Sequence, residues 1–154
     1  MRPATAPVIG GAVTIGLVIA AYSFWTDTPV DNTTAADTVQ GAALYAENCA
    51  SCHGANLQGQ PDWRERRADN TLPAPPHDDS GHTWHHPDSM LFAYTKFGGQ
   101  AYLDENGITA ITSAMPGFED ILSDDEIRNV LAYIRSQWSE QARQKQAELS
   151  ASNR

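Results

Sequence analysis

The sequence predicts a small all-helical domain that follows an apolar N-terminal segment. Three stretches of the chain place apolar residues at helical spacing, and a βαβ pattern of the thioredoxin kind is lacking. Once residues 1–25 are set aside, the rest of the 154 residues suffices for one domain with a single core. We therefore expect three to four helices around one centre.

Residues 8–25 form an uncharged run that predicts a transmembrane or signal helix. Arg2 precedes the run and Asp27 and Asp31 follow it, so the positive-inside rule places the N-terminus in the cytoplasm and the rest outside. A helix of this length measures roughly 27 Å, which favours a retained anchor. The small-x-small pattern of residues 21–23 offers the alternative of cleavage. We expect a single-pass protein of a bacterial inner membrane with its domain in the periplasm, or a soluble periplasmic protein after cleavage.

Composition predicts the remaining boundaries. Residues 26–36 are polar, carry no apolar period and are expected to form a linker. Residues 37–138 hold the predicted helices and form the domain. Residues 139–154 are polar, and we expect a fraying helical extension or a disordered tail there.

The first and last helices of the domain carry the clearest signals. Asp37 is a candidate N-cap for a helix over residues 38–49. The last helix is predicted to begin after Ser123, with Glu126 completing a capping box, and to run to Trp138. The apolar surface of the first helix is expected from Val39, Ala42, Ala43, Tyr45 and Ala46.

A third helix is predicted between Pro87 and Gly98-Gly99. One side of it would be buried through Met90, Leu91, Ala93, Tyr94 and Phe97. Between the first and third helices, residues 54–84 form a long segment rich in Pro and Gly. A loop of that length in a compact domain usually packs against another part of the structure, and a bound group could provide the surface on which it packs.

Cys49, Cys52 and His53 form a C-x-x-C-H motif, which is the attachment signature of a c-type haem. On a helical turn both thiols lie on one face, where they can form thioethers with one haem, and the imidazole is directed at the iron. A disulfide or a redox dithiol is the alternative for the two cysteines, whereas a four-thiolate zinc site is excluded because the chain has only two. The motif predicts one covalent haem c.

Met115 is the predicted ligand on the distal face of the iron. It lies in an irregular segment, where Pro116 and Gly117 prevent a helix and can present a side chain to a cofactor. Met90 falls on the buried side of the third helix and is better explained as core. The other candidates by residue type are His77, His82, His85, His86 and, more remotely, Lys96.

These motifs together resemble the class I cytochromes c, a small all-helical monohaem family. The resemblance covers roughly residues 37–138 and rests on Gly41 and Tyr45, the run from Cys49 to Gly54, Met115-Pro116 and the terminal helix. It implies that the first and last helices cross closely, with Gly41 as the small contact and Tyr45 and Tyr133 as aromatic packing. It also implies iron ligated by His53 and Met115.

The resemblance further implies a proline carbonyl that accepts a hydrogen bond from the proximal imidazole. Pro75 is the best match, although Pro73 and Pro76 lie beside it and the usual Gly-Pro-x-Leu pattern is absent. Trp84 is expected to pack against the haem edge or to donate its indole N–H to a propionate.

Four histidines and two carboxylates between His77 and His86 suggest a second hypothesis. Imidazole suits copper and zinc, so a copper-handling function is one alternative, while the irregular spacing favours a solvated loop. Cu(II) or Zn(II) titration would test it.

We expect an electron carrier that transforms no substrate. The chain has 10 basic and 19 acidic residues and a formal net charge of −9. This charge disfavours nucleic acid as a partner. It favours a redox protein with a basic docking patch, either a periplasmic protein or a respiratory protein of the membrane. The competing class is a haem enzyme or gas sensor with a labile distal site, which carbon monoxide binding would reveal.

Overall fold

Helices form the framework of residues 35–153, the part that this computed structural model describes. In chain order they are α1 (Ala35–Asn48), α2 (Ala50–His53), a 3-10 helix (Thr83–His85), α3 (Asp88–Phe97), α4 (Gly99–Glu105), α5 (Asp124–Ser136) and α6 (Glu140–Ser152). Extended chain in this range pairs at one isolated parallel bridge, between Thr71 and Thr112. The predicted all-helical class is confirmed for these residues.

The helix α1 begins earlier than predicted. Ala35 and Ala36 are already helical, so Asp37 lies in the first turn and is not the N-cap. The predicted linker is therefore wrong at its last two residues. Alanine is the best helix former, and the positive end of the helix dipole stabilises an Asp in the first turn. Val39, expected in the core, is 73% exposed.

The packing of α1 against α5 builds the main core. A Cβ at Gly41 would overlap the carbonyl oxygen of Asn129 and lie 3.0 Å from the Cβ of Tyr133, so the close approach requires glycine. The rings of Tyr45 and Tyr133 lie 5.4 Å apart at this crossing. The buried cluster around it comprises Tyr45, Cys49, Leu57, Val130, Ile134, Trp138 and Ala142.

The predicted start of α5 is confirmed by its hydrogen bonds. The Glu126 amide donates to Ser123 Oγ at 3.3 Å, and the Ser123 amide donates to Glu126 Oε2 at 2.8 Å, which completes the capping box. The helix ends at Ser136, two residues short of the prediction. Trp138 lies beyond that end and is nevertheless buried.

The third predicted helix is α3, which Pro87 caps and Gly98 ends with φ at +89°. Phe97, expected to be buried, is 45% exposed. The helix α4 was not predicted, because Gly99 was taken as part of the stop and instead begins this second, short helix.

The C-terminal stretch is helical, as one of the two expectations had it, but the helix is packed and neither frayed nor disordered. Ser139 caps α6 by accepting a hydrogen bond from the Ala142 amide at 3.3 Å. Ala142 and Gln146 are buried. The helix packs against the 3-10 helix and against α3.

The predicted membrane helix lies outside the described range. No helix within residues 35–153 combines the length and apolar character needed to cross a bilayer. Residues 8–25 and the linker up to residue 34 fall before that range, so both remain predictions from the sequence.

Candidate haem-binding site

The C-x-x-C-H motif forms one helical turn directly after α1. The Cys49 amide donates to the Tyr45 carbonyl at 2.9 Å, and the His53 amide donates to the Cys49 carbonyl at the same distance. Cys49 is buried, Cys52 is exposed, and both thiols are free. The turn therefore brings together two free thiols and an imidazole, and the disulfide alternative is not formed.

The two thiols differ in their surroundings. Burial, and then the neighbouring Cys52, raise the pKa of the Cys49 thiol to about 11. The buried Cys49 thiol is thus held more firmly in its protonated form than an exposed cysteine.

The His53 side chain is oriented as a metal ligand requires. Its Nδ1 lies 2.9 Å from the carbonyl oxygen of Pro75, so Nδ1 carries the proton and donates it, which leaves the lone pair on Nε2. Burial lowers the pKa of His53, while the hydrogen bond to Pro75 acts in the opposite direction. A neutral imidazole with a free Nε2 beside two free thiols fits a covalently attached haem.

The polypeptide that carries Pro75 is held close to His53 by backbone hydrogen bonds. The Gly59 amide donates to the His53 carbonyl at 2.8 Å, and the Gln60 amide donates to the Ala74 carbonyl at 2.9 Å. Gly59 has φ at +68°, and a Cβ there would strike Pro76. The long segment after His53 thus folds back so that Pro75, not Pro73 or Pro76, meets the imidazole.

His77 lies beside His53. From the sequence alone it was predicted only as a possible metal ligand. Their rings stack with centroids 3.9 Å apart and planes 20° apart. Burial, followed by nearby His53 and His82, lowers the pKa of His77 well below its usual value. The available signal was its position two residues after Pro75, where the family pattern has leucine.

Met115 lies in the irregular segment between α4 and α5. The Gly99 amide donates to its carbonyl at 3.0 Å, and its own amide donates to Ser113 Oγ at 3.3 Å. Its half-buried side chain packs against the second core cluster, formed by Phe118, Leu122 and Ile127.

Two other predicted site residues have partners of their own. The indole N–H of Trp84 donates to the Asp79 carbonyl at 3.4 Å, so this donor is already used within its own loop. Its packing against a haem edge stays a prediction. Lys96, the remote candidate for distal ligand, has its Nζ 2.7 Å from Asp124 Oδ1.

The histidines between His77 and His86 point to different neighbours. His77 stacks on His53, and exposed His85 contacts Trp84. His82 stacks on Trp63 with centroids 5.2 Å apart and also meets His86 edge-on with centroids 5.3 Å apart, so two histidines of the cluster are neighbours. Across the described part of the chain, no three His, Cys, Asp or Glu side chains converge on a possible metal position. The described residues therefore give the hypothesis of a copper or zinc site no support, and it stays a prediction from the sequence.

A helical domain with this attachment turn defines a c-type haem protein. The family model described as "Cytochrome c" matches residues 38–138. The chain belongs to the cytochrome c family, and accordingly it binds one covalent haem c, for which Cys49 and Cys52 fit the attachment motif.

Two relatives are similar over most of their own length, and both are named cytochrome c6. The protein from Aphanizomenon flos-aquae is 31% identical over 104 residues, which cover 66% of this chain and 92% of the relative. The protein from Nostoc sp. (strain PCC 7120) is 30% identical over 120 residues, covering 77% of this chain and 84% of the relative. No solved structure gives a significant match.

Proposed function

We propose that this haem protein is an electron carrier that transforms no substrate. In this proposal His53 and Met115 are the axial ligands of the haem iron. The observation that carries the proposal is the His53 imidazole on the same turn as two free thiols, with its Nδ1 2.9 Å from the Pro75 carbonyl oxygen. The relatives named cytochrome c6 support the carrier over an enzyme.

Each residue has a distinct task in this proposal. Cys49 and Cys52 would hold the haem through thioethers, and His53 Nε2 and the Met115 sulfur would be the two groups that hold its iron. The haem supplies a one-electron couple, and a soft thioether favours the ferrous state and raises the potential. The Pro75 carbonyl keeps the imidazole in one tautomer, and the contacts to Gly99 and Ser113 hold the backbone of Met115 in place.

We also propose a location and a class of partner. The uncharged run of residues 8–25 supports a single-pass anchor in a bacterial inner membrane with the domain in the periplasm, or a soluble periplasmic form if it is cleaved. The partners are redox proteins, and the net charge of −9 supports a basic docking patch on their surface.

The test is the absorption spectrum of the purified holoprotein, ferric and then reduced, for wild type, Met115→Ala and Met90→Ala. We expect wild type and Met90→Ala to be low-spin, to show the far-red ferric band of sulfur ligation and to resist carbon monoxide. Met115→Ala should lose that band and bind carbon monoxide. Met90 is the matched control because it is a half-buried methionine on α3.

Two results would contradict the proposal. Carbon monoxide binding by wild type would contradict the carrier and favour an enzyme or gas sensor with a labile distal site. Loss of the far-red band in Met90→Ala but not in Met115→Ala would contradict the assignment of Met115 and show that Met90 supplies the thioether.

A further inference from the structure

His77 stands where it can limit the rotation of the proximal imidazole. The stacking distance of 3.9 Å is close to ring contact, and the small angle of 20° makes the contact face to face. The ring of His53 can turn about the axis through Nε2 towards a bound iron. Such a turn would drive an edge of His53 into the flat face of His77.

His77 itself is fixed at both backbone polar groups. Its amide donates to the Leu57 carbonyl at 2.7 Å, and its carbonyl accepts from the indole N–H of Trp138 at 2.7 Å. The ring of Tyr45 meets that of His77 edge-on with centroids 5.9 Å apart. The backbone of His77 is therefore held by Leu57, in the loop after the attachment turn, and by Trp138, which follows α5, while its ring is contacted by Tyr45 on α1.

We propose that His77 is a positioning residue that sets the plane of the His53 imidazole relative to the haem. The hydrogen bond to Pro75 fixes one atom of the ring, and the stacked face of His77 fixes its rotation. This inference rests on the proposed ligation of the iron by His53. The orientation of an axial imidazole distributes unpaired spin over a ferric haem, so it is measurable apart from electron transfer.

The chemistry of the position separates this role from a purely structural one. Nδ1 of His77 is buried, and it has no hydrogen-bond partner among residues 35–153. A buried nitrogen without a partner destabilises a fold, and leucine would fill the space without that cost. Stability alone therefore favours leucine here, whereas only a flat ring gives His53 a face to stack on.

The experiment compares ferric holoprotein of wild type, His77→Leu, His77→Phe and His85→Leu. The readouts are the NMR shifts of the four haem methyl groups, which report the imidazole plane, and guanidinium unfolding. Phe keeps the flat face and removes both nitrogens, and exposed His85 is the matched control. His77→Met, which is flexible and not flat, replaces His77→Leu if that variant does not fold.

We expect His77→Leu to change the order or spread of the methyl shifts while its unfolding midpoint stays equal or rises. His77→Phe and His85→Leu should keep the wild-type shift pattern. The inference is overturned if His77→Leu keeps that pattern, or if His77→Phe or His85→Leu alters it as strongly. A wild-type protein without a low-spin, imidazole-ligated spectrum would instead overturn the proposed function.

Discussion

At the residue scale, the attachment turn was predictable and the surroundings of its imidazole were not. Cys49, Cys52 and His53 are named by a contiguous motif, and α2 places them on one turn as that motif requires. Pro75 had two neighbouring prolines as rivals, and the backbone path through Gly59 and Gln60 decides between them. Such a path depends on contacts between residues distant in sequence, which no local pattern encodes.

The stability of the domain is predicted to depend on pH through His82. Burial is the main cause that lowers its pKa, followed by His86, His85 and Arg64. As pH falls below the ordinary value of 6.5, the unfolded chain therefore takes up a proton at His82 before the folded chain does, and stability is lost. We expect the guanidinium concentration at the unfolding midpoint to decrease as the pH is lowered from about 7.5 to about 5.5. The decrease should be smaller in His82→Phe.

The control for His82 keeps the imidazole and changes its partner. Trp63→Phe alters the ring on which His82 stacks but leaves the titrating group in place. This variant should retain most of the wild-type pH dependence. An equal fall in His82→Phe and wild type would show that the folded protein does not discriminate against the proton at His82.

At the element scale, helices with regular apolar spacing were predicted and the others were missed. The starts of α3 and α5 follow from Pro87 and from the Ser123–Glu126 capping box. The packing of α6 was not predicted, because one of its two buried residues is a glutamine and its apolar stripe is nearly absent. A polar side chain enters a core only where partners satisfy it, and those partners lie in other elements.

Gln146 is the residue through which α6 is expected to stabilise the domain. Its Nε2 donates to Asp88 Oδ1 at 2.8 Å and to Ser150 Oγ at 3.0 Å, and it is 1% exposed. Gln146→Ala should lower the unfolding free energy by about 1–3 kcal/mol, because Asp88 and Ser150 lose a buried partner. Guanidinium unfolding of the holoprotein measures it.

Gln144 provides the matched control on the same helix. It is exposed, and among residues 35–153 its side chain bonds only Glu140, one turn earlier. Gln144→Ala should change the unfolding free energy by less than about 0.5 kcal/mol. Equal losses in the two alanine variants would mean that α6 contributes through its helicity and not through the Gln146 contacts.

At the scale of the whole molecule, the described chain is a helical frame around a long irregular segment. Residues 54–82 contain no helix in the structure and depend on turns and isolated hydrogen bonds. The sequence indicated that a bound group organises this segment, and the family supplies a covalent haem c. The helices of the domain were predictable from local sequence patterns, whereas the course of residues 54–82 was not.

Removal of the haem should therefore weaken the domain as a whole. A covalent haem is present in the folded and the unfolded chain alike, but only the folded domain buries its apolar faces, so the haem stabilises the folded state. We expect the variant with both Cys49→Ala and Cys52→Ala to melt at a lower temperature and to lose amide protection first in residues 54–82. Circular dichroism and hydrogen exchange measure the two effects.

Ser51→Ala is the control for haem removal, because it changes the turn and leaves both thiols. It should keep the haem and the melting temperature of wild type. The double cysteine variant could instead lose its haem and keep the melting temperature of wild type. In that case the helices alone would be sufficient to organise residues 54–82.

The close packing of α1 on α5 also bears on the order of events during synthesis. Gln40 and Asn129 are hydrogen-bonded across this crossing and stand 89 positions apart in the chain, so their contact is among the slow, non-local ones. A polypeptide that emerges N-terminus first presents Cys49, Cys52 and His53 well before α5 exists. Haem attachment can therefore begin on an unfinished domain, and the arrival of α5 then completes the core beside it.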